Sequence, residues 1–197
     1  MVCTGNICRS AYAENALQTR LDSVAPRLAE TASAGTHPNQ ALHVPDPLLR
    51  LAADAGVRGL ERHRPRRVEP GTVEQADLVL TASRRHMTFL LQETPRAIGR
   101  TFTVLELAAI VRALDARTGG EWIPAGGGIP ALADAAARSR SLARGPGIPL
   151  DIADPYGRSD EAYAAMVEVM DPALDVIAAA LAEAVSGTPS GPPQGRP

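Results

Sequence analysis

Cys3 and Arg9 stand six positions apart in the run Cys3-Thr4-Gly5-Asn6-Ile7-Cys8-Arg9-Ser10. A thiol and a guanidinium at that spacing, joined by a short loop and followed by a helix-forming run, can bind a phosphate and attack it. The backbone N–H groups running through Thr4, Gly5, Asn6, Ile7 and Cys8 can curl into a concave nest for an oxyanion. A helix beginning at Ser10 points its N-terminus at the same spot and favours negative charge there. Arg9 can meet two phosphate oxygens with a planar fork, which a lysine cannot do. The same positive field favours Cys3 as thiolate, the nucleophilic form. Ser10 is placed to donate its hydroxyl to that thiolate and later to help it leave. Gly5 and Asn6 are residue types that tolerate the positive φ a loop wrapped round an anion needs.

Far along the chain, Asp154-Pro155-Tyr156-Gly157 offers a carboxylate beside an aromatic ring. Alone, an Asp-Pro pair reads as a turn or a helix cap. Beside a nucleophilic cysteine, Asp154 reads as a general acid, with Asp151 as the second choice.

The string Gly5-Asn6-Ile7-Cys8-Arg9-Ser10 resembles the low-molecular-weight protein tyrosine phosphatase family, whose signature is Cys-x5-Arg-Ser with Gly-Asn inside. Ser33-Ala34-Gly35-Thr36 is similar to the end of that family's second strand, and Asp77-Leu78-Val79-Leu80-Thr81 to its third. The resemblance runs over about residues 1–183. It implies Cys3, Arg9 and Asp154 as catalytic residues, with Thr4, Gly5, Asn6, Ile7, Cys8, Ser10 and Tyr156 binding substrate. It implies a phosphorylated protein as partner, a phospho-cysteine intermediate and hydrolysis of phosphotyrosine. No metal or other cofactor is expected, because Arg9 and the amide nest supply the positive field.

Three other readings stay open. A protein arginine phosphatase has Thr where Ile7 stands, so Ile7 favours the tyrosine branch. A thiol-linked arsenate reductase needs further cysteines beyond Cys8. A non-catalytic phosphoprotein-binding module is suggested by the short start and by the absence of an aromatic residue in the loop at 36–46. In that loop, His37 and His43 either replace the aromatic or are simply solvated.

The chain has 197 residues, no lysine, 3% aromatics and a net charge of −2. This charge gives no reason to expect nucleic acid or an anionic membrane as partner. No signal peptide or apolar span is read, so a cytoplasmic location is expected. The oligomeric state is left open. Cys3 and Cys8 either form a protective reversible disulfide or Cys8 packs as a small apolar residue.

These residues must be positioned by a scaffold. Strands are expected near 1–2, 31–34, 77–82 and 100–104, alternating with helices. That order predicts an α/β fold, a doubly wound four-stranded parallel sheet with helices on both faces. Two residues before Cys3 make a short first strand, which reads as truncated. Helices are expected at about 10–22, from Asp46-Pro47 to Gly56, from Ser83 to Pro95, at 105–114 and at 159–185, the last kinked or split at Pro172. His86 reads as structural or exposed, and the basic run 62–67 as an exposed loop. Residues 1–185 read as one domain. Within it, 118–150 reads as an insertion with a helical piece at about 131–142, either a cover for the cleft or a surface excursion. Residues 186–197 read as a disordered tail.

Overall fold

A computed structural model describes residues 1–24, 26–124, 126–145 and 147–186. Residues 187–197 of the expected tail lie outside the described residues. In chain order the elements are β1 (Val2–Cys3), α1 (Arg9–Val24), β2 (Ala34–Gly35), α2 (Asp46–Asp54), α3 (Pro70–Gln75), β3 (Val79–Thr81), α4 (Arg84–Glu93), β4 (Thr101–Thr103), α5 (Val104–Thr118), α6 (Gly128–Arg138) and α7 (Asp160–Ser186). Short 3-10 turns occupy Leu60–Arg62, Pro95–Arg100 and Arg140–Ala143.

The four strands form one parallel sheet in the order β2-β1-β3-β4. From β1 the chain winds outward to β2, and from β3 to β4 in the opposite direction. The switch point therefore lies between β1 and β3, where doubly wound sheets open a crevice at the carboxyl ends of their strands. Cys3 ends β1 at that place. β1 is two residues long, yet it pairs on both sides, Val2 with Ala34 and Thr81, Cys3 with Gly35.

Alternation along each strand divides the core between the two faces. Leu80 and Phe102 enter the larger cluster, with Ile7 from the loop after β1 and Tyr12, Leu107, Ile110, Met170, Leu174 and Ile177 from the helices α1, α5 and α7. Val2 and Val79 enter a smaller cluster with Val73 and Leu90 on the α3–α4 side. The residues that close these helices are ordinary caps. Thr103 and Glu106 make a reciprocal capping box at α5. Ser83 accepts from the His86 N–H at the start of α4. Gly56 follows α2 at φ 69°.

Three local expectations are corrected. Pro172 does not split the last helix, which runs unbroken from Asp160 to Ser186. The proline ring faces solvent while its neighbours Ala173 and Leu174 are buried, so the lost N–H falls on the wet side of the helix. The basic run is more than an exposed loop: Arg67 bridges to Gly35 in parallel, with Gly35 N–H donating to Arg66 O at 2.8 Å and Val68 N–H to Gly35 O at 2.9 Å. The backbone of this run thus extends the sheet beyond β2. The helical piece expected at 131–142 is α6 at 128–138, followed by the 3-10 turn.

Residues 128–143 pack into the core through Leu132, Ala133, Ala136 and Ala143. Arg140 clamps them to β4 and α5. It donates to Glu106 Oε1 at 3.0 Å, to Ile98 O at 2.7 Å and to Thr101 O at 2.6 Å. Its guanidinium also lies 4.2 Å from the centre of the Phe102 ring.

Candidate active site

The loop from Cys3 to Ser10 folds back on its own sulfur. Cys3 Sγ lies 3.0 Å from Ser10 Oγ and accepts from the Asn6 backbone N–H at 3.3 Å. Asn6 takes φ 54°, the left-handed conformation its residue type tolerates, which turns that N–H inward. β2 approaches so closely that a Cβ on Gly35 would stand 2.5 Å from Thr4 O, so only glycine fits there. Thr36 and His37 N–H groups donate to Cys3 O and Thr4 O, each at 2.9 Å, and tie the loop to the strand end.

Ile7 and Cys8 turn their side chains into the core, so only their backbone can face a ligand. Burial pushes the Cys8 thiol up to about 12, with the nearby Cys3 adding to the shift. Cys8 is therefore held as a neutral thiol in the core. Both cysteines are free.

A polar layer beneath the loop holds it in shape. The Asn6 side-chain amide donates to Ser10 Oγ at 3.0 Å and to Ser33 Oγ at 2.7 Å, and its Oδ1 accepts the Arg66 N–H at 2.9 Å. Ser33 in turn donates to Glu14. His63 Nε2 lies 2.8 Å from Asn6 O, and its Nδ1 lies 3.5 Å from Glu14 Oε2. Both contacts are to acceptors. Glu14 is correspondingly held below the usual carboxylate range: burial works to raise it, but hydrogen bonds from His63 and Ser33 outweigh that. Sequence reading missed Glu14, Ser33 and His63. Only the position of Glu14, one helical turn after Ser10, pointed to the loop.

His86 was read as structural or exposed, and it is buried at 5% exposure against the rim of the loop. Its Nε2 lies 2.9 Å from Thr4 Oγ1 and its Nδ1 2.8 Å from Ser83 Oγ. Burial, then the charge of Arg9, lowers its pKa from 6.5 to about 4. The unfolded ring takes a proton near 6.5 and the folded ring only near 4, so between these values unfolding takes up a proton. Stability supplied by the neutral ring is thus complete above pH 6.5 and is lost as pH falls toward 4. After allowance for solvent screening, the loss should be about 1–2 kcal/mol. Melting temperatures of the native chain and His86→Gln, taken across that window, should converge by a few degrees toward acid. A constant gap would refute the assignment.

Arg9 spans from this loop to the distant carboxylate. Its Nη2 donates to Asp154 Oδ2 at 2.6 Å and its Nη1 to Ile152 O at 3.4 Å. Arg9 is buried while the Asp154 side chain is 49% exposed, so the carboxylate lies at the mouth of the site. The buried Arg9 Nε has no hydrogen-bond partner among the described residues. Ile152 N–H donates to Ala82 O at 2.8 Å, which fixes the acid loop to the end of β3. Tyr156 is half exposed, and its N–H reaches Asp154 Oδ1 at 3.4 Å. Asp151 points elsewhere. It takes the Arg84 guanidinium at 3.0 Å and the Arg84 N–H at 2.7 Å, and these bonds hold it below the usual carboxylate range. The structure thus joins Cys3 to Ser10 and Arg9 to Asp154, with Arg9 and Ser10 adjacent in the chain. His37, in the loop at 36–46, is exposed and sets its ring edge-on to Phe89 with centres 5.5 Å apart.

A model of the family described as low molecular weight phosphotyrosine protein phosphatase matches residues 1–115. The low molecular weight protein-tyrosine-phosphatase Etp of Escherichia coli (strain K12) is 33% identical over 101 residues, 51% of this chain and 64% of Etp. The chain thus spans somewhat less than two thirds of that curated relative. Among solved structures, Vibrio vulnificus Wzb in complex with benzylphosphonate is 26% identical, with a TM-score of 0.61 over 90% of this chain and 94% of that one. YwlE arginine phosphatase from Geobacillus stearothermophilus shares the fold at 23% identity, with a TM-score of 0.62 over 91% of this chain and 89% of that one.

Proposed function

Because the chain belongs to the low molecular weight phosphotyrosine protein phosphatase family, we propose that it hydrolyses phosphotyrosine in phosphorylated proteins, with Cys3 as nucleophile. The observation that carries the reading is the 2.6 Å bridge from Arg9 to Asp154, which joins the anion loop to a carboxylate 145 residues away. In the first step Cys3 Sγ attacks phosphorus in line. A sulfur–phosphorus bond forms and the ester bond breaks, while Asp154 gives its proton to the departing phenolate oxygen. The other loop amides between Thr4 and Cys8, the Asn6 N–H staying on the sulfur, and the Arg9 guanidinium, including its unpartnered Nε, take the equatorial oxygens. In the second step water attacks phosphorus, Asp154 takes its proton and the sulfur leaves as thiolate, accepting from Ser10 Oγ and the Asn6 N–H.

Asp154 is preferred to Asp151 as the acid because Asp154 meets Arg9 of the anion loop, whereas Asp151 is turned onto Arg84. Tyr156 is assigned to the cleft wall, where a flat substrate ring can stack on it. Residues 1–185 are read as one domain, with 118–150 as an addition beyond the matched segment. Two free, buried thiols suit a reducing cytoplasm as the place of action. Among the described residues no helix is long and apolar enough to cross a membrane.

The test is hydrolysis of a phosphotyrosine peptide beside a phosphoarginine peptide. Release of phosphate from the first at the higher kcat/KM is the expected result. A reversed preference would transfer the chain to the arginine branch despite Ile7, and binding without turnover of either would favour a non-catalytic module.

A further inference from the structure

Beside the acid loop lies a groove of about 350 Å³ between the start of α4 and residues 143–151. Its polar lining is Arg84, Arg144 and Asp151, and its apolar wall includes Ile148, Pro149 and Leu150. We propose that this groove holds an acidic stretch of the substrate flanking the phosphorylated residue; the proposal rests on the phosphatase reading above.

Charge is the first argument. The chain as a whole carries −2, yet the groove presents two guanidiniums and one carboxylate. That carboxylate, Asp151, is already taken by Arg84. Arg144 is exposed and has no ion-pair partner among the described residues, and Arg85, next on α4, is exposed as well. A carboxylate entering here meets unpaired positive charge, whereas a basic flank is repelled.

Position is the second. Asp151 precedes Asp154 by three residues, which spans at most about 11 Å of chain. Both ends of this short segment are fixed, Asp151 through Arg84 and Asp154 through Arg9, and Ile152 between them is tied to Ala82. A peptide held by its phosphate in the cleft places a residue two or three positions away at about 7–10 Å in extended form. The groove therefore lies within reach of a flanking side chain and beyond reach of a small aryl phosphate. Arg144 also lies outside residues 1–115, so this discrimination is carried by a part of the chain that the family match does not cover.

The probes are two peptides bearing a non-hydrolysable phosphonate analogue of phosphotyrosine, one flanked on both sides by glutamates and one by glutamines. The native chain should bind the acidic peptide about fivefold more tightly at low salt, with the preference shrinking as ionic strength rises. In Arg144→Glu the preference should vanish or invert, while turnover of p-nitrophenyl phosphate stays unchanged. Equal affinity of the native chain for both peptides, or a preference that survives in Arg144→Glu, would overturn the groove assignment and leave the phosphatase reading standing. Absent turnover of p-nitrophenyl phosphate together with an intact, Arg144-dependent acidic preference would overturn the activity and uphold the groove.

Discussion

Cys3→Ser should abolish turnover of an aryl phosphate, a loss on the order of 10⁴-fold or more, as expected when a covalent nucleophile is removed. The surroundings explain why serine cannot substitute. The atom at this position receives the Asn6 N–H and faces the Ser10 hydroxyl. Both contacts suit an anion already formed, and neither can remove a proton from a serine hydroxyl. A thiol is intrinsically far more acidic than an aliphatic hydroxyl. Cys8 cannot take over, because burial holds its thiol near 12 and its side chain lies in the core. Binding should survive, since the loop amides and Arg9 are untouched. Vanadate titrated calorimetrically into Cys3→Ser should retain affinity within severalfold of phosphate binding to the native chain. Turnover above about a tenth of native would remove Cys3 from the role of nucleophile.

The parts of this site that sequence revealed are those whose physics is local. A thiol, a guanidinium and a pair of residues tolerant of positive φ fall within one short loop, and the helix that follows is built from Ala and Leu. The strands and their alternation were legible for the same reason, through short apolar runs ended by Gly35, Ser83 and Thr103. The supporting layer was not legible. His63 reaches Asn6 across 57 residues, His86 reaches Thr4 across 82, and Arg66 reaches Asn6 across 60. Each of these belongs to a type that is solvated in most loops and helices, and nothing in its neighbours fixes which side it faces. α3 escaped because Pro70 and Gly71 open it, residues that usually mark a turn. Asp154 is an intermediate case. Its Asp-Pro pair is uninformative alone, and the role proposed for it rests on the cysteine loop read beside it.

Asp154→Ala should lower kcat by about 10²–10³-fold for a substrate with a poor leaving group, the range of a positioned general acid. It should leave KM unchanged or lower. The split follows from two of the roles proposed for Asp154. As a proton donor it stabilises only the transition state, where negative charge builds on the departing oxygen. As the partner of Arg9 at 2.6 Å it competes with the substrate phosphate for the same buried guanidinium. Removing it costs the first function and relieves the second, so binding does not suffer while chemistry does. The size of the loss should depend on the leaving group. Phenyl phosphate, whose phenolate needs the proton, should suffer most, and p-nitrophenyl phosphate, whose leaving group departs as a stable anion, least. A plot of log kcat/KM against leaving-group pKa should therefore steepen in Asp154→Ala relative to the native chain. Asp151→Ala serves as the comparison, because Asp151 binds Arg84 and does not face Arg9. If the slope steepens in Asp151→Ala and stays flat in Asp154→Ala, the proton comes from the other carboxylate. If both variants leave slope and kcat untouched, the leaving group draws its proton from neither, and the bridge between Arg9 and Asp154 is structural alone.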